Sequence, residues 1–281
     1  MKPQKNRADK TNKKSNSAGR PQNRRLDKTK TQGYEDEKLI IKGRHEVISA
    51  LSGAQKLEAV YLSQSLKPPI GGKIRQLAKD VGVTVKEINS EAFGKKFGDK
   101  SQGVAAIGGA FTYTELDRLI TSALRGQQIL VALNQVEDAR NLGAIIRTVE
   151  AAGASGVIIP KHRAAGMTEW AVRTAQGAAA YLPVARVTNM ADAINFCKKQ
   201  GFWAVGLEAG VKKKYCDTVY KGPILLVAGG ENIGLGERVK KSCDELVTLP
   251  LSGNTSSLNV SVSVAVGLFE ICRQKNFFQN K

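Results

Sequence analysis

Apolar and polar positions along this chain change period repeatedly, and each change marks an element boundary. Between Ile40 and Gly109 the spacing predicts a helix over His45–Leu51, a strand over Leu57–Leu62 and a helix over Lys73–Val81. A strand over Thr84–Ile88, a short helix over Glu91–Phe97 and a strand over Val104–Ile107 follow. Lys67 to Gly72, with two prolines and two glycines, reads as a loop. Further on the pattern gives strand Ile129–Leu133, helix Leu142–Ala152 closed by Gly153, strand Val157–Ile159 and helix Glu169–Ala175. Strand Leu182–Val187, helix Ala191–Lys199 and strands Trp203–Leu207, Ile224–Ala228 and Leu246–Leu249 complete it. The continuous apolar run Ile224–Ala228 is what a strand buried on both faces requires. Strands alternating with helices imply an open, mainly parallel α/β sheet that binds ligands at the carboxyl ends of its strands.

One segment fits two periods. Val260, Val262, Val264 and Val266 alternate with Ser261, Ser263 and Ala265, as in a strand. The run from Leu258 to Arg273 is long and ends in Leu-Phe-Glu-Ile-Cys-Arg, as in a helix buried on most sides. Local pattern leaves both open. The organisation that emerges is a basic tail at 1–35, a small α/β domain at 36–110, a link at 111–126 with a short amphipathic piece, and a larger α/β domain at 127–281.

Composition changes this picture mainly at the N-terminus. The chain has 281 residues, 42% of them hydrophobic, which suits two globular domains. No run approaches the roughly 18 apolar residues of a membrane helix. Nor does an apolar stretch follow the basic start as in a signal peptide. A cytoplasmic protein that needs no membrane is expected. Met1 to Tyr34 holds eleven Lys and Arg against two Asp, half of the formal net charge of +18. Poor in apolar residues, it is expected to be disordered. A basic tail on a basic body suggests a polyphosphate partner, hence nucleic acid, with a merely solubilising tail as the bland alternative. Four scattered cysteines, no Cys-x-x-Cys pair and two histidines argue against a metal site and for reduced thiols.

Three polar clusters sit at the ends of predicted strands. The first runs from Asn134 to Gly143 and feeds a helix that carries Arg147 among Ala, Ile and Val. Asn141 could simply cap that helix, and Arg147 could simply face water; the functional reading of Arg147 is a phosphate clamp. The second is the glycine-dense turn Gly229 to Gly236, with the carboxylate of Glu231 inside it. Its spacing fits neither the dinucleotide fingerprint nor a phosphate loop, which argues against hydride transfer and nucleotide hydrolysis. The third is Asn254, Thr255, Ser256, Ser257 and Asn259, more small polar side chains than one helix cap needs, though Ser256 or Ser257 could serve as that cap. With no histidine partner these groups suit hydrogen bonding around a substrate hydroxyl better than a hydrolase triad.

Taken together, Asn141-Leu-Gly-Ala-Ile-Ile-Arg147, the Gly229–Gly236 turn and Leu249–Val262 resemble the three ordered motifs of the SpoU (SPOUT, TrmH) family of RNA ribose 2′-O-methyltransferases. Gly43-Arg-His-Glu-Val47 and Gln102-Gly-Val-Ala105 resemble that family's ribosomal-protein-like substrate-binding domain. Pro160-Lys161 and Cys243-Asp-Glu-Leu246 bring the resemblance nearest to the bacterial 23S rRNA guanosine-2′-O-methyltransferases. The resemblance implies a C-terminal trefoil knot, with the Val260–Arg273 segment a helix through it, and a homodimer formed by the knotted domain. It also implies S-adenosyl-L-methionine bound by backbone at Gly229, Leu249 and Leu258. Residue by residue, it implies a catalytic group of Asn141, Arg147, Glu231, Ser257 and Asn259, with no metal. Two positions depart from the family pattern: Ala139 follows Asp138 where proline is frequent, and Ser101 precedes Gln102 where histidine is frequent. The alternatives are the same reaction on tRNA or on an rRNA adenosine, or a non-catalytic RNA-binding assembly factor.

Overall fold

The structure is a computed structural model that describes residues 38–53, 55–230 and 233–277. The basic segment Met1–Tyr34 and the candidate Glu231 lie outside the described residues.

The first domain is a four-stranded sheet in the order β1-β4-β2-β3, made of β1 (Leu39–Lys42), β2 (Leu57–Ser63), β3 (Thr84–Ile88) and β4 (Val104–Gly108). Strand β4 pairs antiparallel with β1 and β2, whereas β2 and β3 run parallel. Helices α1 (Arg44–Ser52) and α2 (Pro68–Asp80) bury Val47, Leu51, Ile74 and Ala78 in the same apolar cluster as Val60, Leu62 and Val104. Helix α3 (Ser90–Phe97) packs Phe93 and Phe97 around Ala105 in a separate cluster. Two expectations are corrected here. The loop expected over Lys67–Gly72 is mostly the first turn of α2, because proline fits the first helical positions, where an N–H would go unbonded anyway. Strand β1 was not expected; its alternating buried Leu39 and Ile41 are too short a signal to read alone.

The second domain is a six-stranded, wholly parallel sheet in the order β10-β8-β9-β5-β6-β7. Its strands are β5 (Ile129–Asn134), β6 (Gly156–Pro160), β7 (Val184–Val187), β8 (Trp203–Leu207), β9 (Ile224–Gly229) and β10 (Glu245–Val247). Successive residues of a strand face opposite sides, and the core divides accordingly. Ile129, Val131 and Leu133 join Ile224 and Leu226 in one cluster, covered by α5 (Ala139–Ala151) and α9 (Val260–Gln274). Leu130 and Ala132 join Leu225 and Val227 in the other, covered by α4 (Leu116–Arg125), α7 (Met190–Lys199) and α8 (Glu237–Ser242). The expected link at 111–126 thus supplies α4, whose Leu119, Ile120 and Ala123 are buried against this sheet. Helix α6 (Glu169–Thr174) crosses α5 where Gly143 leaves no room for a side chain; a Cβ there would overlap the Ala171 carbonyl oxygen and stand 2.6 Å from Thr174 Cβ.

The two-period segment is helix α9. Val260, Val264, Leu268, Ile271 and Cys272 are buried, a stripe of helical spacing, while Val262 and Phe269 stay 46% and 43% exposed. Burial on most sides is therefore replaced by burial along one stripe. The strand-like alternation arose because valines serve both faces of the helix. No described helix is long and apolar enough to cross a membrane.

Candidate functional site

Strand order fixes where a crevice must open. From β5 the chain turns toward β6 on one side, and from β9 it turns toward β10 on the other. The loops leaving these adjacent strands diverge, so the gap between them lies at a topological switch point, above the carboxyl ends of the strands. A cleft of about 190 Å³ occupies that gap, lined by Gln135, Glu137, Asp138, Asn141, Gly230 and Val260 among others. It is smaller than the roughly 300–1,000 Å³ of pockets that enclose a whole ligand. Part of a larger molecule would fit. A smaller apolar seam between the domains, around Ala50, Phe111 and Val172, holds only about 10 Å³ and none of the candidate chemistry.

The strand ends are level. Asn134 pairs in register with Gly229, Ala228 with Leu207, and Leu207 with Val247. Gly229 and Leu249 therefore emerge from the same edge, two strand spacings or about 10 Å apart. The glycine turn folds tightly on itself: Gly230 N–H donates to Asn134 O (2.8 Å) and Gly234 N–H to Gly230 O (3.0 Å). A Cβ on Gly229 would overlap the Gly234 carbonyl, and one on Gly230 would overlap the Gln135 carbonyl oxygen. Gly234, at φ +65°, makes the backbone reversal that glycine permits.

Two residues outside the expected set hold this turn. Asn134 is buried, and its Nδ2 donates to Leu235 O at 2.8 Å, tying the β5 loop to the β9 loop. Its signal was a polar residue closing an apolar strand, where burial demands a partner. Glu208 follows β8, and its carboxylate pairs with Lys240 of α8 at 2.8 Å. That hydrogen bond raises the Lys240 pKa above its ordinary value. No local sequence signal joins Glu208 to Lys240.

One expected residue of motif one, Asn141, meets one of motif three, Asn259. Helix α5 begins earlier than expected, and its N-cap is Asp138, whose Oδ1 accepts the Arg140 N–H at 2.7 Å. The hydrogen bond from the Arg140 side chain holds the Asp138 carboxyl below the ordinary carboxylate range. Asn141 is therefore not the cap. Asn259, 118 residues away, donates from Nδ2 to Asn141 Oδ1 at 3.1 Å. Asn259 also caps α9, its Oδ1 accepting the Ser261 N–H (2.9 Å) and Oγ–H (2.6 Å). The capping role open to Ser256 or Ser257 thus belongs to Asn259. Ser257 and Leu258 lie in the exposed segment just before it, and Ser257 makes no hydrogen bond to a described residue. Arg147 is exposed on α5 and forms no ion pair among the described residues. Leu249 is half-buried beside β10. Among the described residues no cluster of His, Cys, Asp and Glu could hold a metal.

A parallel sheet with a switch-point crevice, a backbone-built glycine turn and an amide pair at its mouth is the setting in which open α/β folds bind small molecules. Comparison with known proteins specifies the class. Residues 128–269 match the SpoU rRNA methylase family, and residues 40–114 match the RNA 2′-O ribose methyltransferase substrate-binding domain. The YacO protein of Bacillus subtilis (strain 168), which carries the name of a TrmH family tRNA/rRNA methyltransferase, is 35% identical over 83% of this chain and 95% of its own. The uncharacterised tRNA/rRNA methyltransferase slr0955 of Synechocystis is 37% identical over 85% of this chain and 63% of its own. An AdoMet-bound rRNA methyltransferase from Sinorhizobium meliloti superposes with a TM-score of 0.72 at 27% identity, over 84% of this chain and 87% of that one. The SpoU methyltransferase AviRb from Streptomyces viridochromogenes shares the fold, with a TM-score of 0.73 at 23% identity over 86% and 91%. The chain belongs to the SpoU family and is an RNA methyltransferase.

Proposed function

We propose that this protein methylates a ribose 2′-OH in RNA, with S-adenosyl-L-methionine as donor and a guanosine of 23S rRNA as target. The observation that carries this reading is the Asn141–Asn259 pair at the mouth of the crevice, with Arg147 exposed further along α5 and Ser257 exposed two residues before Asn259. When bound, S-adenosylmethionine supplies an already activated methyl group, so the chain's own residues must bind, align and deprotonate the nucleophile. Backbone at Gly229, Leu249 and Leu258 would hold the donor, and the turn fits that use because Gly229 and Gly230 present main chain without side chains. This edge of the sheet is also where the family resemblance puts a trefoil knot, part of the same proposal.

A ribose hydroxyl is a poor acid and must lose its proton as the new bond forms. Arginine stays protonated in proteins, so Arg147 serves as a clamp on the target phosphate, which accepts the proton. Ser257, Asn141 and Asn259 present the ribose, and Glu231 steadies the loop or Arg147. A second copy of the chain completes the enzyme: Leu251, Leu258, Val262 and Phe269, along and just before α9, are 38–46% exposed and suit a homodimer seam. Reduced thiols and an RNA substrate fit a cytoplasmic location.

The test uses purified full-length protein, tritiated S-adenosylmethionine and rRNA from cells lacking the protein. Alkaline hydrolysis should leave the label in an alkali-stable dinucleotide, since a methylated 2′-oxygen cannot attack the adjoining phosphate. Label released as mononucleotides would mean base methylation and end the ribose reading. Incorporation into tRNA alone would move the target.

A further inference from the structure

Trp170 is 64% exposed on α6, an unusual position for the largest apolar side chain. The guanidinium of Arg173 stands 5.7 Å from its ring centroid, and Arg173 has no carboxylate partner among the described residues. The nearest acid in sequence, Glu169, is already neutralised by Lys42 at 2.8 Å. Arg173 thus leaves an uncompensated positive charge beside the indole. Its place relative to the site follows from the helix crossing. Gly143 of α5 touches Ala171, the residue after Trp170, and Arg147 lies one turn beyond Gly143, a rise of about 6 Å.

We propose that Trp170, flanked by Arg173, is a stacking platform for an unpaired base of the substrate RNA, next to the nucleotide whose ribose is methylated. The inference rests on the ribose-methyltransferase reading above and adds a contact to it. Single-stranded RNA is recognised largely by bases stacked on aromatic rings, with arginine meeting the backbone or a second π face. A base brought out of its helix leaves neighbours unstacked, and an aromatic surface close by restores that stacking. The indole supplies the surface, and Arg173 supplies charge complementary to the flanking phosphate.

The chain has two tryptophans, and the other, Trp203, packs against Tyr220 with ring centroids 6.3 Å apart. In full-length protein carrying Trp203→Phe, Trp170 is the only indole. A short unstructured single-stranded RNA should quench its fluorescence saturably, and the same sequence as a duplex should do so far less. Trp170→Ala should weaken single-strand binding by roughly 5- to 150-fold, while Trp170→Phe keeps most of it. In methyl transfer to deproteinised rRNA from cells lacking the protein, Trp170→Ala should raise KM and leave kcat nearly unchanged. Absent quenching, or unchanged affinity in Trp170→Ala, would overturn the proposal. So would a change from dimer to monomer in sedimentation of Trp170→Ala, which would assign the indole to a second copy of the chain. Failure of the unsubstituted protein to methylate ribose, with quenching intact in the Trp203→Phe protein, would remove the underlying reading and leave the stacking contact standing.

Discussion

Substituting Gly229 by alanine probes the glycine turn at its tightest point. The added Cβ would overlap the Gly234 carbonyl and approach Leu235 N to 2.5 Å, whereas real Cβ contacts essentially never fall under 3.0 Å. The nearest atom, the Gly234 carbonyl carbon, would stand at 2.0 Å, so the 234–235 backbone must retreat by about 1 Å, since β9, paired on both sides through Ala228, cannot. That retreat lengthens the Asn134 Nδ2–Leu235 O bond of 2.8 Å and the Gly234 N–Gly230 O bond of 3.0 Å. Overpacking costs about 1–3 kcal/mol and a weakened buried hydrogen bond about 1 kcal/mol, so the total is about 2–4 kcal/mol. Two readouts divide this cost. A urea midpoint shows what falls on the fold, and calorimetric titration of S-adenosylmethionine shows what falls on the loop; tenfold in affinity is about 1.4 kcal/mol. We expect the donor's affinity to drop about tenfold or more with circular dichroism unchanged. Gly253→Ala, with open space around its Cβ and an ordinary φ, should alter neither. Wild-type midpoint and donor affinity in Gly229→Ala would refute the reasoning.

The amide pair can be separated from its capping role. Asn259→Asp can still accept the Ser261 N–H but cannot donate to Asn141, so it should hold stability within about 0.5 kcal/mol and lose activity about tenfold or more. Asn259→Ala should also lose about 1 kcal/mol in denaturation, and Asn141→Ala added to Asn259→Asp should lower kcat little further. Burial pushes the thiols of Cys197 and Cys243 up to about 12 and that of Cys272 to about 11, from an ordinary 9.0. The folded state keeps protons that the unfolded chain releases, so these groups leave stability unchanged below about pH 9 and lower it as pH rises from there toward 12. Cys197→Ala should flatten that decline in urea midpoints, and an identical slope would exonerate the thiol. Deleting residues 1–34 should weaken RNA binding mostly at low salt and reduce the slope of log affinity against log salt; an equal slope would leave the tail no part in binding.

The large sheet was legible because a parallel strand buried on both faces writes itself as a continuous apolar run. Ile129–Leu133 and Ile224–Ala228 are such runs, and both are strands. Helix α9 was not decided by its own pattern, because the valines at 260 and 264 face the sheet while that at 262 faces outward. The candidate residues Asn141 and Asn259 could be picked by type and motif. Their hydrogen bond could not, since it spans 118 residues and depends on the order of β5, β9 and β10. Local propensity even misassigned the caps: Asn141 was a plausible cap, yet Asp138 starts α5, and Asn259 rather than a serine starts α9. The Glu208–Lys240 pair was invisible for the same reason, being a product of the loop after β8 meeting helix α8.

The proposed role of the two amides carries an expectation for pH. Asn141, Asn259 and Ser257 carry no group that titrates in the working range. If a substrate phosphate takes the ribose proton, no described side chain of the pair or clamp has to change protonation during the reaction. The rate of the chemical step should then vary little between about pH 6.5 and 9, well away from unperturbed carboxylate and arginine ranges. The histidine on the loop after β6 provides the control. The loop after β6 carries His162 and is joined to the cleft wall by the Ala165 N–H to Val136 O bond of 2.8 Å. A single-turnover profile that bends near the ordinary histidine range, and straightens in His162→Gln, would put an imidazole where the phosphate is assigned. A flat profile in both proteins leaves the proton with the RNA.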